Sequence, residues 1–197
     1  MRWKAVLPVL VFAVALSACD LVQSTAKSSF NAVDITGADY AKDFRLSDPT
    51  GKMRSLADFN GKVVLLFFGY THCPDVCPTT LADAAKVLKN LGKDGERVQV
   101  LFVTVDPKRD TPEILSKYVP AFNPTFLGLS GDDASTRKMA KDFHIFYEYR
   151  PGTSPDDYTV DHTAGTLAFD PQGRLRLFID YGMAPEKITA DLRKLLT

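Results

Sequence analysis

Cysteine is scarce in this chain, which has only three among 197 residues. Three cysteines cannot build the dense disulfide framework that holds small secreted domains together. The fold must therefore be stabilised by packing, and a chain of this length with 45% hydrophobic residues is ample for one domain with an apolar core. Any thiol chemistry must also rest on very few side chains.

An excess of charge is also absent. The 24 basic residues balance the 24 acidic residues, and the formal net charge at pH 7 is +0. Domains that bind nucleic acid usually carry a basic patch or stripe and a high isoelectric point. The composition therefore predicts no nucleic-acid partner.

A hydrophobic run long enough to span a membrane is the third absence. The apolar residues 5–16 fall short of the ~20 residues that a spanning helix needs. Arg2 and Lys4 precede this run, and a Leu-Ser-Ala-Cys sequence that ends at Cys19 follows it. This order resembles a bacterial lipoprotein signal, so we predict that residues 1–18 are a signal peptide and that Cys19 is lipidated. A generic secretory signal with a chance cysteine and an uncleaved anchor are the alternatives.

Lipidation at Cys19 predicts a protein that is anchored to a bacterial cell membrane and faces the periplasm. Residues 19–40 contain several serines and threonines and show no sustained periodicity, which is typical of a tether. A flexible tether of ~20 residues spans roughly 25 Å on average. Alternatively, part of this segment packs on the domain as an N-terminal strand. The remainder, residues 41–197, is predicted to be one domain.

Hydrophobic patterning predicts an α/β fold for that domain. Residues 63–68 and 98–105 are continuous apolar runs, as expected of strands buried on both faces. Residues 79–91 lie between them and show helical spacing, and a hairpin over residues 44–56 precedes the first run. Further helices are predicted from Thr111, over 132–143 and from Pro185, and further strands over 126–129, 145–149, 159–170 and 175–181.

The alternation of strands and helices is typical of a thioredoxin-like plan. We therefore predict a central mixed sheet flanked by helices, with the hairpin as an N-terminal addition. Ligands of such sheets collect outside the carboxyl ends of the strands. Cys73 and Cys77 follow the first central strand, so they should lie at such an end.

Three residues, Pro74-Asp75-Val76, separate Cys73 from Cys77, and the pair should lie in the turn and first helical turn after the strand. A helix N-terminus favours anions, so we expect at least one of the two thiols to have a lowered pKa. If Cys19 is lipidated, Cys73 and Cys77 are the remaining cysteines, and they must serve as a disulfide, a metal site or a redox couple. The spacing is wider than the Cys-x-x-Cys of thioredoxin-type oxidoreductases. With this spacing the two sulfurs can bind a metal ion between them, and they can still form a disulfide if the turn bends.

A third metal ligand must come from elsewhere in the sequence. His162 lies at the start of a predicted strand, and the preceding Asp161 is an acid of the kind that can orient an imidazole. His72 is next to Cys73, where joint chelation is awkward. His144 ends a predicted amphipathic helix, where a structural role is expected.

Two thiolates and one imidazole suit copper. Thiolate is a soft ligand that selects Cu(I), and adding imidazole permits Cu(II) as well. Zinc accepts the same ligand types, but a structural zinc site usually has four protein ligands. Only three ligands are well placed in this sequence.

Three separate segments of the chain resemble the Sco/SenC family. They are Gly-Tyr-Thr-His-Cys-Pro-Asp-Val-Cys-Pro-Thr-Thr at 69–80, Val-Thr-Val-Asp-Pro-Lys-Arg-Asp-Thr-Pro at 103–112 and Val-Asp-His-Thr at 160–163. They occur in the same order as in the family. The resemblance covers about residues 40–197.

The resemblance implies a membrane-tethered, thioredoxin-like copper metallochaperone that helps to assemble the binuclear copper centre of cytochrome c oxidase. It implies that Cys73, Cys77 and His162 hold one copper ion. The expected partners are the copper-centre subunit of the oxidase and other copper chaperones. The chain departs from many relatives in its predicted anchor, which is lipid rather than a transmembrane helix.

A thiol-disulfide reductase that keeps partner cysteines reduced is the alternative, and it would make the protein an enzyme. Such a reductase needs Cys73 and Cys77 but not His162. No proline lies between residues 156 and 170, so the cis-proline of thioredoxins has no counterpart beside His162. This difference weakens the interpretation as a general oxidoreductase.

Acidic residues near the expected ligands are candidates for tuning the site. Asp75 lies between the two cysteines and Asp161 precedes the histidine, so their charges are predicted to act on the metal. Residues 106–111 follow the second central strand near the same sheet edge. We expect them to form a capped, solvated loop, with a partner contact or a charge near the metal as the alternative.

Overall fold

Strands and helices alternate along the chain in the computed structural model, which describes Met1, residues 29–154 and residues 157–197. The strands are β1 (Val33–Asp34), β2 (Leu46–Ser47), β3 (Met53–Arg54), β4 (Val63–Gly69), β5 (Val98–Thr104), β6 (Leu127–Leu129), β7 (Tyr147–Pro151), β8 (Tyr158–His162), β9 (Thr166–Phe169) and β10 (Leu175–Ile179). The helices are α1 (Val76–Leu91), α2 (Pro112–Tyr118), α3 (Asp133–Asp142) and α4 (Pro185–Leu195). The predicted signal peptide, Cys19 and the first part of the predicted tether lie outside the described residues.

The main sheet is mixed and has the order β1-β10-β9-β4-β5-β6. Strands β4, β5 and β6 run parallel, whereas β9 is antiparallel to β4 and β10 is antiparallel to β9. Every residue of β4 is buried, which confirms the prediction from its unbroken apolar run. The prediction of a central mixed sheet flanked by helices is confirmed. The fully buried aromatic side chains of the core are Phe67, Phe68, Phe102, Phe143 and Phe169.

The predicted N-terminal hairpin is present. Strands β2 and β3 pair antiparallel, with Leu46 opposite Arg54. The Asp48 carboxylate closes the turn between them by accepting hydrogen bonds from the backbone N–H groups of Thr50 and Lys52. Within the part of the chain that the structure describes, no helix combines the length and the apolar character that a membrane crossing requires.

The structure places the start of the domain earlier than residue 41. The backbone N–H groups of Asn31 and Ala32 donate to the buried carboxylate of Asp191 on α4, each at 2.8 Å from Oδ2. Strand β1 then extends the main sheet by pairing with β10. The end of the segment that we predicted as a tether is therefore part of the fold, as in the alternative in which it packs as a strand.

The predicted strand over residues 159–170 is wrong, because this stretch contains two strands in two different sheets. Strand β8 pairs with β7 in a separate two-stranded ribbon, whereas β9 belongs to the main sheet. The chain crosses between the sheets at Gly165, where a Cβ atom would lie 2.0 Å from the Phe178 ring. Only glycine permits this close approach, so the break falls there.

Candidate metal centre

The three predicted ligands Cys73, Cys77 and His162 converge, although 85 residues separate the last two along the chain. Their ligand atoms all lie within 4.8 Å of one another. Cys77 Sγ is 3.4 Å from His162 Nε2, and both cysteines are free thiols. Among the described residues, this is the only group of cysteine, histidine and acidic side chains that is close enough to hold a metal ion.

The cysteines sit in unequal environments at the carboxyl end of β4. Cys73 closes a turn in which its N–H donates to the carbonyl of Tyr70 at 3.3 Å. Cys77 is the second residue of α1, and its N–H points at Cys73 Sγ at 3.4 Å. The Cys77 side chain is 0% exposed, whereas Cys73 is half-buried. Only Cys73 therefore offers its sulfur to a molecule that approaches from solvent.

Gly69 makes room for the buried sulfur, and the sequence interpretation did not single it out. A Cβ atom on Gly69 would lie 2.9 Å from Cys77 Sγ and 2.8 Å from the Phe102 ring. Real Cβ contacts are essentially never this close, so any larger residue would force the thiol or an adjacent ring to shift. The available signal was a glycine at the end of an otherwise apolar strand, where it often marks a close approach.

His162 is the last residue of β8, and its ring orientation is fixed by the backbone. Its Nδ1 lies 3.0 Å from the carbonyl oxygen of Thr163, so Nδ1 carries the proton and donates. Nε2 is then the free nitrogen, and it faces Cys77 Sγ. Burial lowers the pKa of His162, while the Thr163 hydrogen bond and the Asp161 charge oppose that shift. The imidazole is therefore neutral at pH 7 and can act as a ligand.

The expectation of a lowered thiol pKa is wrong for Cys77. Burial raises the pKa of the Cys77 thiol, and the neighbouring Cys73 and Asp110 raise it further. These effects outweigh the attraction of the α1 N-terminus for an anion. In the metal-free protein Cys77 is thus a neutral thiol whose S–H can donate to His162 Nε2. A metal that binds here must displace that proton.

The predicted tuning acids Asp75 and Asp161 are both on the surface. Asp161 forms an ion pair with Arg150 at 2.7 Å, and the imidazole is oriented by the Thr163 carbonyl instead. Its charge still raises the pKa of His162 through space. Asp75 lies at the start of α1, where its carboxylate accepts from the Thr79 hydroxyl at 3.4 Å. Electrostatic tuning by these two acids remains a prediction.

The other two histidines have different neighbours. His72 Nδ1 is 3.2 Å from the Thr71 hydroxyl and 3.9 Å from an oxygen of Asp110, and its side chain is exposed. The His144 ring stacks on Tyr40 with 4.2 Å between centroids. Neither belongs to the metal-binding group.

The loop over residues 106–111 is capped as expected, since Thr111 caps α2, but the expectation that it is solvated is wrong for its two aspartates. Asp106 is 0% exposed and Asp110 is 1% exposed. Asp110 accepts hydrogen bonds from Thr71, two residues before Cys73, so this loop adjoins the site. The repeated acids in an Asp-Pro-x-x-Asp sequence after a strand were visible, but their burial depends on contacts that the sequence does not display.

The ligand set fits a soft or borderline metal ion. Two sulfur atoms and one imidazole nitrogen suit copper in either common oxidation state. A structural zinc site usually has four protein ligands, and the group found among the described residues has three. The fold is thioredoxin-like, and its two thiols and one imidazole form a candidate metal site.

The family model described as SCO1/SenC matches residues 33–197. The chain belongs to the SCO1/SenC family. It is 39% identical over 157 residues to the mitochondrial SCO2 homolog of Bos taurus. That match covers 77% of this chain but only 58% of the relative, so the chain spans little more than half of the relative's length.

Solved structures of similar proteins have the same fold. The apo Sco1 protein of Thermus thermophilus is 43% identical, with a TM-score of 0.76 over 86% of this chain and 99% of that one. ScoI of Bradyrhizobium japonicum, solved with copper bound, is 40% identical, with a TM-score of 0.71 over 78% of this chain and 97% of that one. The predicted thioredoxin-like fold and the resemblance to the Sco/SenC family are confirmed.

Proposed function

We propose that this protein is a copper metallochaperone that holds one copper ion between Cys73, Cys77 and His162. It delivers the ion during assembly of the copper centre of cytochrome c oxidase. The observation that carries the proposal is the convergence of two thiols and one imidazole nitrogen within 4.8 Å on the fold of this family. The copper in the similar Bradyrhizobium japonicum protein supports copper as the metal.

Loading with copper follows from the protonation states of the ligands. The neutral His162 offers the lone pair of Nε2 without losing a proton. The buried Cys77 thiol must lose its proton, because the thiolate is the metal ligand. Copper uptake therefore releases protons and becomes tighter as pH rises.

Release follows from the unequal exposure of the two sulfurs. Because Cys73 is half-buried and Cys77 is 0% exposed, a partner's thiolate can reach the copper on the Cys73 side first. Exchange of Cys73 precedes exchange of Cys77, and the buried sulfur leaves last. Oxidation of the two thiols to a disulfide removes both sulfur ligands and stops binding.

Complementation of a strain that lacks this gene tests the function. Strains carrying the unmodified gene, His162→Asn or the matched control His144→Asn are grown with limiting copper, and cytochrome c oxidase activity is measured. The proposal predicts activity with the unmodified gene and the control, and loss with His162→Asn. Added copper should restore activity to the His162→Asn strain. Full activity with His162→Asn at limiting copper would contradict copper delivery.

A thiol-disulfide reductase is the second candidate, and the pair of free thiols favours it. Attack of the Cys73 thiolate on a partner disulfide would form a mixed disulfide and expel one partner thiolate. Attack by Cys77 would then form the Cys73–Cys77 disulfide and release the second partner thiolate, so that the partner gains the two electrons that the pair loses. This candidate predicts activity with His162→Asn, loss with Cys73→Ser, and rescue of the latter by an external reductant rather than by copper.

We also propose that the protein is a lipoprotein, cleaved before Cys19 and anchored through that residue with the domain in the periplasm. The support is the order of charge, apolar segment, small residues and cysteine in residues 1–19. Metabolic labelling with a radioactive fatty acid tests it. Label should enter the protein and be lost in Cys19→Ser, and label in that variant would contradict the assignment.

A further inference from the structure

The two halves of the metal site come from separate parts of the fold. Cys73 and Cys77 follow β4 in the main sheet, whereas His162 ends β8 in the ribbon of β7 and β8. The ribbon has no ladder to the main sheet, and an isolated two-stranded ribbon is only marginally stable. Side-chain contacts must therefore hold His162 in register with the cysteines. Residues 106–110, which we call the bridging loop, make contacts to both halves.

On the cysteine side, the bridging loop holds the turn through Asp110. The Asp110 carboxylate accepts from the Thr71 N–H at 3.0 Å and from the Thr71 hydroxyl at 2.6 Å. It also accepts from the Thr104 hydroxyl at 2.6 Å. Because Thr71 lies two residues before Cys73 and Thr104 ends β5, this one carboxylate ties the cysteine turn to the neighbouring strand.

On the histidine side, the bridging loop holds the first residue of β8. The Tyr158 hydroxyl donates to Asp106 at 2.8 Å, and the Arg109 guanidinium donates to the Tyr158 carbonyl at 2.9 Å. The same guanidinium lies 3.5 Å from the centroid of the Tyr158 ring and donates to Asp106. His162 is four residues further along this strand.

A third contact reaches the other strand of the ribbon. The Tyr149 hydroxyl on β7 donates to the carbonyl of Val105, directly before the bridging loop, at 2.9 Å. The loop is also bonded internally, because the N–H of Asp110 donates to the carbonyl of Asp106 at 2.9 Å. The anchors for the two halves are thereby parts of one hydrogen-bonded unit.

We propose that the bridging loop positions all three copper ligands. Asp110 fixes the cysteine turn, and Arg109, together with Asp106 and Tyr158, fixes the strand that carries His162. These are positioning residues, since they act through the backbone of the ligands. The inference rests on the proposed function and adds a division of labour: the Asp110 arm supports the two sulfur ligands, whereas the Arg109 arm supports the imidazole.

The Asp110 arm is tested by Cu(I) affinity, measured by competition with a chromophoric Cu(I) chelator. Asp110→Ala leaves the donors of Thr71 without their acceptor, and loss of such a supporting bond costs about 10–100-fold in metal affinity. Asp110→Asn should recover much of the loss, because the amide oxygen still accepts from Thr71. The matched control is Asp170→Ala, another buried aspartate, which lies at the opposite end of the sheet. If Asp110→Ala folds too poorly to measure, Thr71→Val keeps the Thr71 N–H bond to Asp110, removes the hydroxyl contacts to Asp110 and His72, and should show a smaller loss of affinity.

The Arg109 arm is tested by the spectrum of the Cu(II) form. In Arg109→Gln the imidazole nitrogen coupling in electron paramagnetic resonance should weaken or vanish, as in His162→Asn. Cu(I) affinity should fall no further than in His162→Asn, because Arg109 acts on the strand that carries the imidazole and leaves the two sulfurs in place. Arg174→Gln is the matched control, since Arg174 also pairs with a buried aspartate, Asp170, and is remote from the site.

Amide hydrogen exchange over residues 71–77 of the copper-free protein separates failure of this inference from failure of the proposed function. Faster exchange in Asp110→Ala than in Asp170→Ala supports positioning by the loop, even if the unmodified protein were found not to bind copper. If the unmodified protein binds copper and the Asp110 and Arg109 variants match their controls in affinity, spectrum and exchange, the inference is overturned. A loss of Cu(I) affinity in Arg109→Gln that exceeds the loss in His162→Asn would contradict the division of labour.

Discussion

Cys73 and Cys77 are chemically identical but differ in what surrounds them. Cys77 lies under the end of β4, where burial raises the pKa of its thiol, whereas Cys73 is half-buried at the rim of the turn. A charged thiolate at Cys77 lacks solvation until a metal replaces its proton. Under the proposed function, this difference makes Cys73 the sulfur that a partner reaches first and Cys77 the sulfur that leaves last.

Alkylation rates should reflect this difference. In copper-free, reduced protein at pH 7.5, iodoacetamide should modify Cys73 much faster than Cys77, because only Cys73 is accessible and the Cys77 thiolate is disfavoured by burial. The rates are measured by mass spectrometry on Cys73→Ser and Cys77→Ser, each of which retains one of the pair. Equal rates would contradict the assigned roles.

Gly69 provides a second prediction at the residue scale. Gly69→Ala should lower copper affinity, because its Cβ would stand 2.9 Å from Cys77 Sγ and 2.8 Å from the Phe102 ring, so the packing around the sulfur must shift. Gly128→Ala is the control. Its Cβ would also lie close to a neighbouring atom, at 3.2 Å, but Gly128 is on β6 and far from the cysteines in sequence. Chelator competition and thermal unfolding are measured together. Equal copper affinity for the two variants would refute the steric role of Gly69.

At the scale of elements, the turn between β9 and β10 is held by Asp170. Burial alone would raise the pKa of this carboxyl, but hydrogen bonds from the backbone and side chain of Arg174, and from Arg176 and Gln172, lower it below the ordinary value. Ionisation of this carboxyl is therefore more favourable in the folded state than in the unfolded chain, and it adds to the free energy of unfolding. The same logic applies to the turn that Asp48 closes in the N-terminal hairpin.

This shift predicts a pH dependence of stability. A group whose pKa is lowered by folding contributes its full stabilisation above its unfolded pKa, about 3.9 for Asp. That contribution is lost as pH falls from there through the folded pKa. Urea unfolding of the unmodified protein and Asp170→Asn from pH 7 to pH 3 is the measurement. The difference in unfolding free energy between them should be constant near neutral pH and shrink in acid; a constant difference throughout would contradict the account.

The residue pattern along the ribbon of β7 and β8 did not predict which sheet its strands belong to. Its apolar and polar residues resemble those of a strand in the main sheet. The crossing at Gly165 lies against the ring of Phe178 from another strand, a contact that the pattern does not reveal. The continuous run 63–68, by contrast, predicted a buried central strand correctly, because burial on both faces leaves a direct mark on composition.

At the scale of the whole molecule, some features of the candidate site could be predicted from the sequence and others could not. The grouping of Cys73, Cys77 and His162 was predictable because thiol and imidazole side chains are rare in this chain and their chemistry is specific. The burial of Asp106 and Asp110 and the raised pKa of Cys77 were not, because they depend on how two separate sheets meet. The start of the domain was placed too late, since the polar residue Asn31 is held by Asp191 rather than by an apolar pattern.

That N-terminal contact predicts how far the chain can be shortened. A chain that begins at residue 41 lacks β1 and leaves the buried Asp191 carboxylate without its backbone donors, which should cost about 2 kcal/mol or more. A chain that begins at residue 29 keeps both donors and β1, so it should be more stable than the shorter chain by that amount. Urea unfolding of both compares them, and equal unfolding free energies would show that residues 29–40 contribute nothing to the fold.

The central claim is that Cys73, Cys77 and His162 bind one copper ion together. X-ray absorption spectroscopy of the protein loaded with one equivalent of copper tests it most directly, with His162→Asn and His144→Asn alongside. Two sulfur scatterers and one imidazole nitrogen are expected in the unmodified protein and in His144→Asn, with loss of only the nitrogen in His162→Asn. A copper environment without both sulfurs, or one that is unchanged in His162→Asn, would contradict it.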